Sequence, residues 1–370
     1  MSAQPNKVTI GERVALDKIE SSFQAYWRET GDAGSNQAVL KASTVNLIIA
    51  IEDKTLYDEV LSGIHDIISH HPGRIIIAFI DHNSELEEIE AHISVYSLKS
   101  EENQMQISAE LALLKTGQAG AHHLAGTILP LLLADLPVYF WCTSKDLLTD
   151  RRFITLFQFT DRLILSTPKE YETAEEMAKT VKSILAFENE CKISDISWSQ
   201  LTDWREALAQ FFDAEKNLKY LNLLDEVEIT YSGDKMSNQT FLMAGWLSAG
   251  LKPVMNASSV QDDPTIYFRR QNERLSIKIR RKSIGGQSGL YKIKLYAEEH
   301  ERSVIFTATQ ESDGSIQTSV QRGGSLNSLN YITATRKNNI ELLCAELDFL
   351  QQDRIYLNAC QKIVEYFHEN

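Results

Sequence analysis

Cysteine is scarce in this chain: four residues, Cys142, Cys191, Cys344 and Cys360, are scattered over 370 positions with no C-x-x-C pair. Thiols so few and so spaced exclude a disulfide framework and fit a reducing compartment, with the cytoplasm as the expected one. Long apolar runs are missing too. The strongest, Leu47 to Ile51, Ile75 to Ile80 and Leu131 to Ala134, fall far short of the ~20 residues a spanning helix needs, so no membrane segment is expected. Met1 to Lys7 lacks the apolar stretch of a secretory signal. Positive charge is in deficit, with 37 Lys and Arg against 51 Asp and Glu, a net charge of −14. Such a field repels phosphate and argues against nucleic acid or anionic membrane as partner. What is present, 43% apolar and 24% charged residues, is the composition of an ordinary globular chain, and the length suits two or three domains.

The motifs of common catalysis are absent as well. A dinucleotide site needs G-x-G-x-x-G between strand and helix, so that backbone amides can approach the pyrophosphate. Gly117-Gln-Ala-Gly120, running on to Gly126, has the wrong spacing, and Gly285 to Gly289 lacks the Lys-Ser/Thr of a P-loop and reads as a turn between strands. The paired histidines His70/His71 and His122/His123 are adjacent, which on a helix points them apart, unlike an i, i+4 metal pair. His122 or His123 at a helix start has an anion-binding reading beside ordinary packing. No G-x-S-x-G nucleophile elbow occurs. These residues predict no enzyme, no cofactor and no metal.

Periodicity organises the chain. Val14, Leu16, Ile19, Phe23, Tyr26 and Trp27 suggest an amphipathic helix, followed by a linker, so residues 1–42 read as an appendage. Over 43–255 strands and helices alternate. Ser43 to Ile51, Ile75 to Ile80 and Pro137 to Trp141 are buried strands; Ala91 to Leu98, Met105 to Lys115 and Arg162 to Leu165 add others. Leu56 to Ile68, Ala119 to Leu133, Leu147 to Phe157 and Thr173 to Phe187 are helical. This is a mostly parallel α/β layer sandwich. Residues 256–370 read as an α+β domain: six short strands between Ile266 and Thr333 in an antiparallel sheet, closed by helices at Ile340 to Leu350 and Ile355 to Phe367.

Two features stand out. Asp195 to Phe212 reads as one helix with Ser197 and Gln200 as a capping box, and Trp198, Leu201, Trp204, Arg205, Leu208, Phe211 and Phe212 on one stripe. The stripe is either core or a docking helix anchored by Trp198 and Trp204. Residues 269–282 hold seven basic side chains and one acidic one. Arg274, Lys278 and Arg280 alternate there with Leu275, Ile277 and Ile279. After the glycine turn Lys292 and Lys294 alternate with Tyr291, Ile293 and Leu295, so a hairpin would set the cations side by side. That face is either solubilising or a docking surface for an acidic or phosphorylated partner.

Several segments, in order, resemble the glucose-6-phosphate dehydrogenase assembly protein family (OpcA): Thr44-Val-Asn-Leu47, His71-Pro-Gly-Arg74, Pro130 to Trp141, Asp161-Arg-Leu-Ile-Leu165, Asp195-Ile-Ser-Trp198, Leu201-Thr-Asp-Trp-Arg205, Phe212-Asp213 and Ala244-Gly-Trp-Leu247. There are departures. Gly73 stands where the family usually has cysteine, Cys142 where a second tryptophan usually follows Trp141, Leu165-Ser166 lacks the usual aspartate, and Ser248-Ala-Gly-Leu251 replaces the usual Ser-Arg-Leu-Gly-Trp.

The resemblance implies a non-enzymatic accessory that binds glucose-6-phosphate dehydrogenase, promotes its active oligomer and raises its apparent affinity for glucose 6-phosphate in the oxidative pentose phosphate pathway. Its motif positions here are His71, Arg74, Asp135, Trp141, Arg162, Trp198, Trp204, Arg205 and Trp246. His71 and Arg74 lie at the amino end of a buried strand, where caps and turn geometry compete with ligand binding; Asp135 and Arg162 are expected to form a structural ion pair. The rival reading is an enzyme or sensor that takes a sugar phosphate or nucleotide in the α/β crevice.

Overall fold

A computed structural model describes residues 11–32, 43–99, 106–251, 254–255, 265–270, 273–283, 288–300, 302–333 and 337–367. These residues form two compact units. The first holds the described residues up to Ser166 together with Phe187–Ile196 and Asn338–Gln352; the second holds Thr167–Ala186, Ser197–Lys337 and the residues from Asp353 on.

The first unit is built on strands β1 (Glu12–Val14), β2 (Val45–Ile51), β3 (Gly73–Asp81), β4 (Glu90–Lys99), β5 (Gln106–Gly117), β6 (Val138–Cys142) and β7 (Arg162–Leu165). After β8 (Glu170–Tyr171), which belongs to the second unit, β9 (Lys192–Asp195) completes its sheet. The strand order is β1-β4-β5-β3-β2-β6-β7-β9. From β5 to β9 every pair is parallel, while β4 and β1 are antiparallel additions. The six parallel strands therefore follow the doubly wound order, with the chain reversing direction across the sheet between β2 and β6. All seven residues of β2 are buried, as are Gly73 to Ile80 of β3, because helices cover both faces. The helices are α1 (Ile19–Asp32), α2 (Lys54–Ser62), α3 (Ile64–His70), α4 (Leu124–Ile128), α5 (Lys145–Thr149) and α6 (Ile154–Phe157).

The second unit carries α7 (Ala174–Leu185), α9 (Thr202–Gln210), α10 (Glu215–Leu218), α11 (Asn238–Leu251) and α13 (Arg354–Phe367); α8 (Ile196–Ser199) straddles the division, and α12 (Asn339–Asp348) lies in the first unit. Its strands are β10 (Leu224–Ser232), β11 (Met236–Ser237), β12 (Val254–Met255), β13 (Thr265–Arg270), β14 (Glu273–Arg281), β15 (Gly289–Glu299), β16 (Arg302–Gln310), β17 (Ile316–Arg322) and β18 (Ser325–Ile332). Its large sheet has the order β12-β13-β14-β10-β15-β16-β17-β18, antiparallel except where β10 runs parallel to β14. On one face Phe211, Phe212 and Tyr220 close around Phe306, with ring centroids 5.3, 5.1 and 5.8 Å away. There α11 meets α13 so closely that a Cβ on Gly245 would lie 2.4 Å from the carbonyl oxygen of Ala359.

Several expectations are corrected. The N-terminal segment is no appendage: β1 pairs with β4, and Ile19 and Phe23 are fully buried. The helix expected over 119–133 is a short α4 flanked by 3-10 turns at Gly120–His123 and Leu129–Leu131, and that over 147–157 divides into α5 and α6. The stripe helix breaks between α8 and α9, and Ser197 lies inside α8, its hydroxyl donating to the Thr167 carbonyl at 3.2 Å. Helix α12 does not close the antiparallel sheet; Ile340, Leu342, Leu343 and Leu347 join the first unit's core. A boundary near 255 would cut through the second sheet, since β10 precedes it and pairs with β14 and β15, which follow. Among the described residues no helix is long and apolar enough to cross a membrane.

Candidate functional site

In a doubly wound sheet the ligand position is the crevice beyond the carboxyl ends of the strands at the reversal point, here between β2 and β6. The residues there are acidic and already engaged. After β2 come Glu52 and Asp53, with no glycine; the Asp53 carboxylate accepts from the Leu56 N–H at 2.7 Å and caps α2. After β6, Ser144 caps α5 and its hydroxyl donates to Glu52 Oε2 at 2.7 Å, while His82 Nε2 lies 3.2 Å from Glu52 Oε1. The Thr143 hydroxyl donates to the Ala50 carbonyl at 2.8 Å. Two carboxylates and their side chains occupy the turn where a pyrophosphate requires bare backbone amides, so these residues do not fit a dinucleotide. Glu52, His82 and Ser144 were not singled out from the sequence; the signal was the absence of glycine after the first buried strand.

Three of the four thiols are poor nucleophiles. Burial pushes Cys142 up to about 12 and Cys191 and Cys344 up to about 11, which keeps all three protonated at neutral pH. No group of three or more metal-ligating side chains occurs among the described residues. The rings of His122 and His123 lie 3.8 Å apart between centroids and are tilted by 46° in the 3-10 turn before α4.

Several of the expected motif residues are held inside the fold. Arg74, 2% exposed, points into the first unit, pairing with Glu110, also 2% exposed, and with Glu20 at 2.7 Å, and donating to the Leu131 carbonyl at 2.6 Å. Phe23 lies 5.0 Å from its guanidinium and Trp27 Nε1 donates to Glu110 at 2.7 Å, so this network ties α1 to β3 and β5. His71 Nε2 lies 3.1 Å from the Cys344 carbonyl and 3.5 Å from Asp348, and burial lowers its pKa against the opposing pull of Asp348. Asp135 and Arg162 form no pair. Asp135 is exposed with φ of +63°, whereas buried Arg162 donates to the Gln351 carbonyl at 2.9 Å and faces Tyr139. Trp141 is fully buried, its Nε1 donating to Ser166. Gly73 has a local reason: a Cβ there would lie 2.1 Å from the Val45 carbonyl oxygen, so the family's usual cysteine has no room in this backbone.

The tryptophan stripe is core. Trp198 is 2% and Trp204 4% exposed; Trp198 donates to Asp353 at 2.8 Å, and the Arg205 guanidinium stacks on its ring at 3.8 Å. Trp246 is half-buried on α11. Trp198 and Trp204 thus present almost no aromatic surface to a docking partner.

The cations do come together, but not as a hairpin. Strand β10 lies between β14 and β15, with Val227, Ile229 and Tyr231 turned to the core and Glu226, Glu228 and Thr230 to the other face. Glu228 stands opposite both Lys278 and Lys294, Thr230 opposite both Arg280 and Lys292, and Lys278 forms an ion pair with Glu226. An acidic strand thus relieves the like-charge opposition that a direct pairing would impose. Neither Lys292 nor Lys294 forms an ion pair among the described residues. Burial and the nearby Lys294 and Lys282 lower the pKa of Lys292, a sign of positive charge in excess there. Arg274 opens β14, its side chain lying outside the described residues. Across β16 to β18 the same face continues through Thr307, Thr309, Gln317 and Ser319 to Leu326, Leu329 and Tyr331, which are 45–59% exposed.

Comparison with known proteins gives two family models. One, described as the glucose-6-phosphate dehydrogenase subunit N-terminal domain, matches residues 64–182; the other, its C-terminal domain, matches 191–360. Similar solved structures include the transcriptional regulator Gal80p from Kluyveromyces lactis, 9% identical, covering 88% of this chain and 89% of that one at a TM-score of 0.46. A putative oxidoreductase from Parabacteroides merdae is 6% identical, covering 89% and 98% at a TM-score of 0.44. No curated protein matches the sequence significantly.

Proposed function

This chain belongs to the glucose-6-phosphate dehydrogenase assembly (OpcA) family, and from that membership we propose that it is a non-catalytic cytoplasmic factor that binds glucose-6-phosphate dehydrogenase and favours its active assembly. The observation that supports the non-catalytic part is that Glu52, Asp53 and Ser144, hydrogen-bonded within the fold, stand at the reversal point where a dinucleotide site has a glycine turn. Such a factor supports the oxidative pentose phosphate pathway without chemistry of its own. It must bind the active assembly more tightly than the inactive one, since only differential affinity shifts an equilibrium. A tenfold gain in apparent substrate affinity needs about 1.4 kcal/mol of that difference.

The docking surface in this reading is the solvent-facing side of the second sheet around Lys292, Lys294 and Arg280, which suits an acidic patch on the partner. The test mixes purified chain and dehydrogenase at sub-saturating glucose 6-phosphate, with co-sedimentation as a second readout. A complex and a lowered apparent KM are expected; no complex and unchanged kinetics overturn the proposal. A thermal-shift series on the chain alone, with glucose 6-phosphate and NADP, is expected to show no stabilisation. A saturable shift would favour the rival reading, a sugar-phosphate or nucleotide sensor.

A further inference from the structure

Among the described residues, strand β18, Ser-Leu-Asn-Ser-Leu-Asn-Tyr-Ile over residues 325–332, ends the second sheet and pairs with β17 alone. It has eight residues, no charge and no proline, in a chain that is 24% charged. Seven of the eight residues are exposed. Edge strands are ordinarily blunted by lysine, proline, shortness or cover, because their outward N–H and C=O groups are a template for another strand. Here the one irregularity, a register shift opposite Val320 and Gln321, does not remove the edge: it brings Leu326 onto the face that Leu329 and Tyr331 share.

We propose that β18 pairs antiparallel with β18 of a second copy of this chain, about a two-fold axis through Asn330, joining two sheets edge to edge. Residues directly opposite in an antiparallel pair lie on the same face. With Asn330 opposite its own mate, Leu329 of each copy meets Tyr331 of the other on one face, and Ser328 meets Ile332 on the other. Leu329 and Tyr331, exposed in each chain alone, thereby gain an apolar neighbour, and within β18 no charge faces a like charge across the seam. The chain's net charge of −14 opposes association at long range, and this repulsion is screened beyond ~8 Å at physiological salt. A single strand pair buries little area, so the dimer is reversible and strengthened by salt.

The experiment uses the full chain. Sedimentation velocity from low micromolar to sub-millimolar concentration is expected to show a monomer–dimer equilibrium that tightens with added salt. Leu329→Lys is expected to weaken it about tenfold or more, with an unchanged circular dichroism spectrum because the side chain is exposed. Asn330→Cys places two thiols opposite each other at a spacing a disulfide can span, so mild oxidation should give a covalent dimer; the parent chain and Ser325→Cys should not. A strictly monomeric parent chain overturns the proposal. So does a dimer that survives Leu329→Lys and leaves Asn330→Cys uncrosslinked, which would place the interface elsewhere. So, too, does an Asn330 edge that becomes protected only when the dehydrogenase is added.

Discussion

The two sheets of this protein each have eight strands and are finished in opposite ways. The first buries a charged pair in its middle: Arg74 and Glu110, on neighbouring strands, are each 2% exposed and satisfy one another. The second packs aromatic side chains on one face and carries charge on the other, with Lys294 opposite Glu228 and Lys292 opposite Thr230. A buried ion pair holds geometry and tolerates no loss of a partner, whereas a half-exposed charge is free to meet another surface. Fold stability and partner binding should therefore respond to different substitutions.

The largest expected effect is on the first sheet. Arg74→Met strands Glu110 without its cation in the core and should cost about 3–5 kcal/mol in urea unfolding, while Arg74→Met with Glu110→Leu should recover much of it. Dehydrogenase binding by whatever folded protein remains should be unchanged. Gly73→Cys, which restores the family's usual residue, pushes a Cβ against the Val45 carbonyl; a loss of about 1–3 kcal/mol from overpacking should appear as a lower unfolding midpoint.

On the second sheet the pattern should invert. Lys292→Gln with Lys294→Gln should leave the unfolding midpoint nearly unchanged and weaken the dehydrogenase complex about tenfold, with a reduced dependence on ionic strength. A stability loss as large as that of Arg74→Met would abolish the distinction between the sheets.

The smallest effect concerns pH. Burial depresses the His71 pKa below 6.5, so the folded state favours the neutral ring and the unfolded state binds more protons. The stability this group contributes is complete above pH 6.5 and is lost as pH falls through the depressed value. His71→Asn should flatten the unfolding free energy between pH 7.5 and 5; an unaltered slope would show that other groups set it.

Legibility differed along the same division. The buried strands of the first sheet were readable because a run such as Ile75-Ile-Ile-Ala-Phe-Ile80 has one favourable fate, burial on both faces. The helices around it were less so. Leu147 to Phe157 keeps an apolar spacing through two separate short helices, since periodicity does not register a turn at Asp150 that a side-chain bond to Arg152 secures. The site was the least legible. Lys278 and Lys294 were expected to be neighbours because consecutive strands usually pair, yet β10, from fifty residues upstream, lies between them. Its alternation of Glu226, Val227, Glu228 and Ile229 is a strand pattern, but nothing local in it names its neighbours.

Taken alone, the amino-acid order determined the kind of each main strand, the alternation of one half and the antiparallel character of the other, and the lack of a glycine loop for phosphate. These follow from local spacing and from side chains that are present or absent. The three-dimensional structure decided that Trp198 and Trp204 are interior, that Ser144 meets Glu52 at the reversal point, that Glu228 stands between Lys278 and Lys294, and that β18 is an edge among the described residues. Each of those outcomes depends on contacts between residues distant in the chain, and the free energy of such a contact belongs to the pair rather than to either segment.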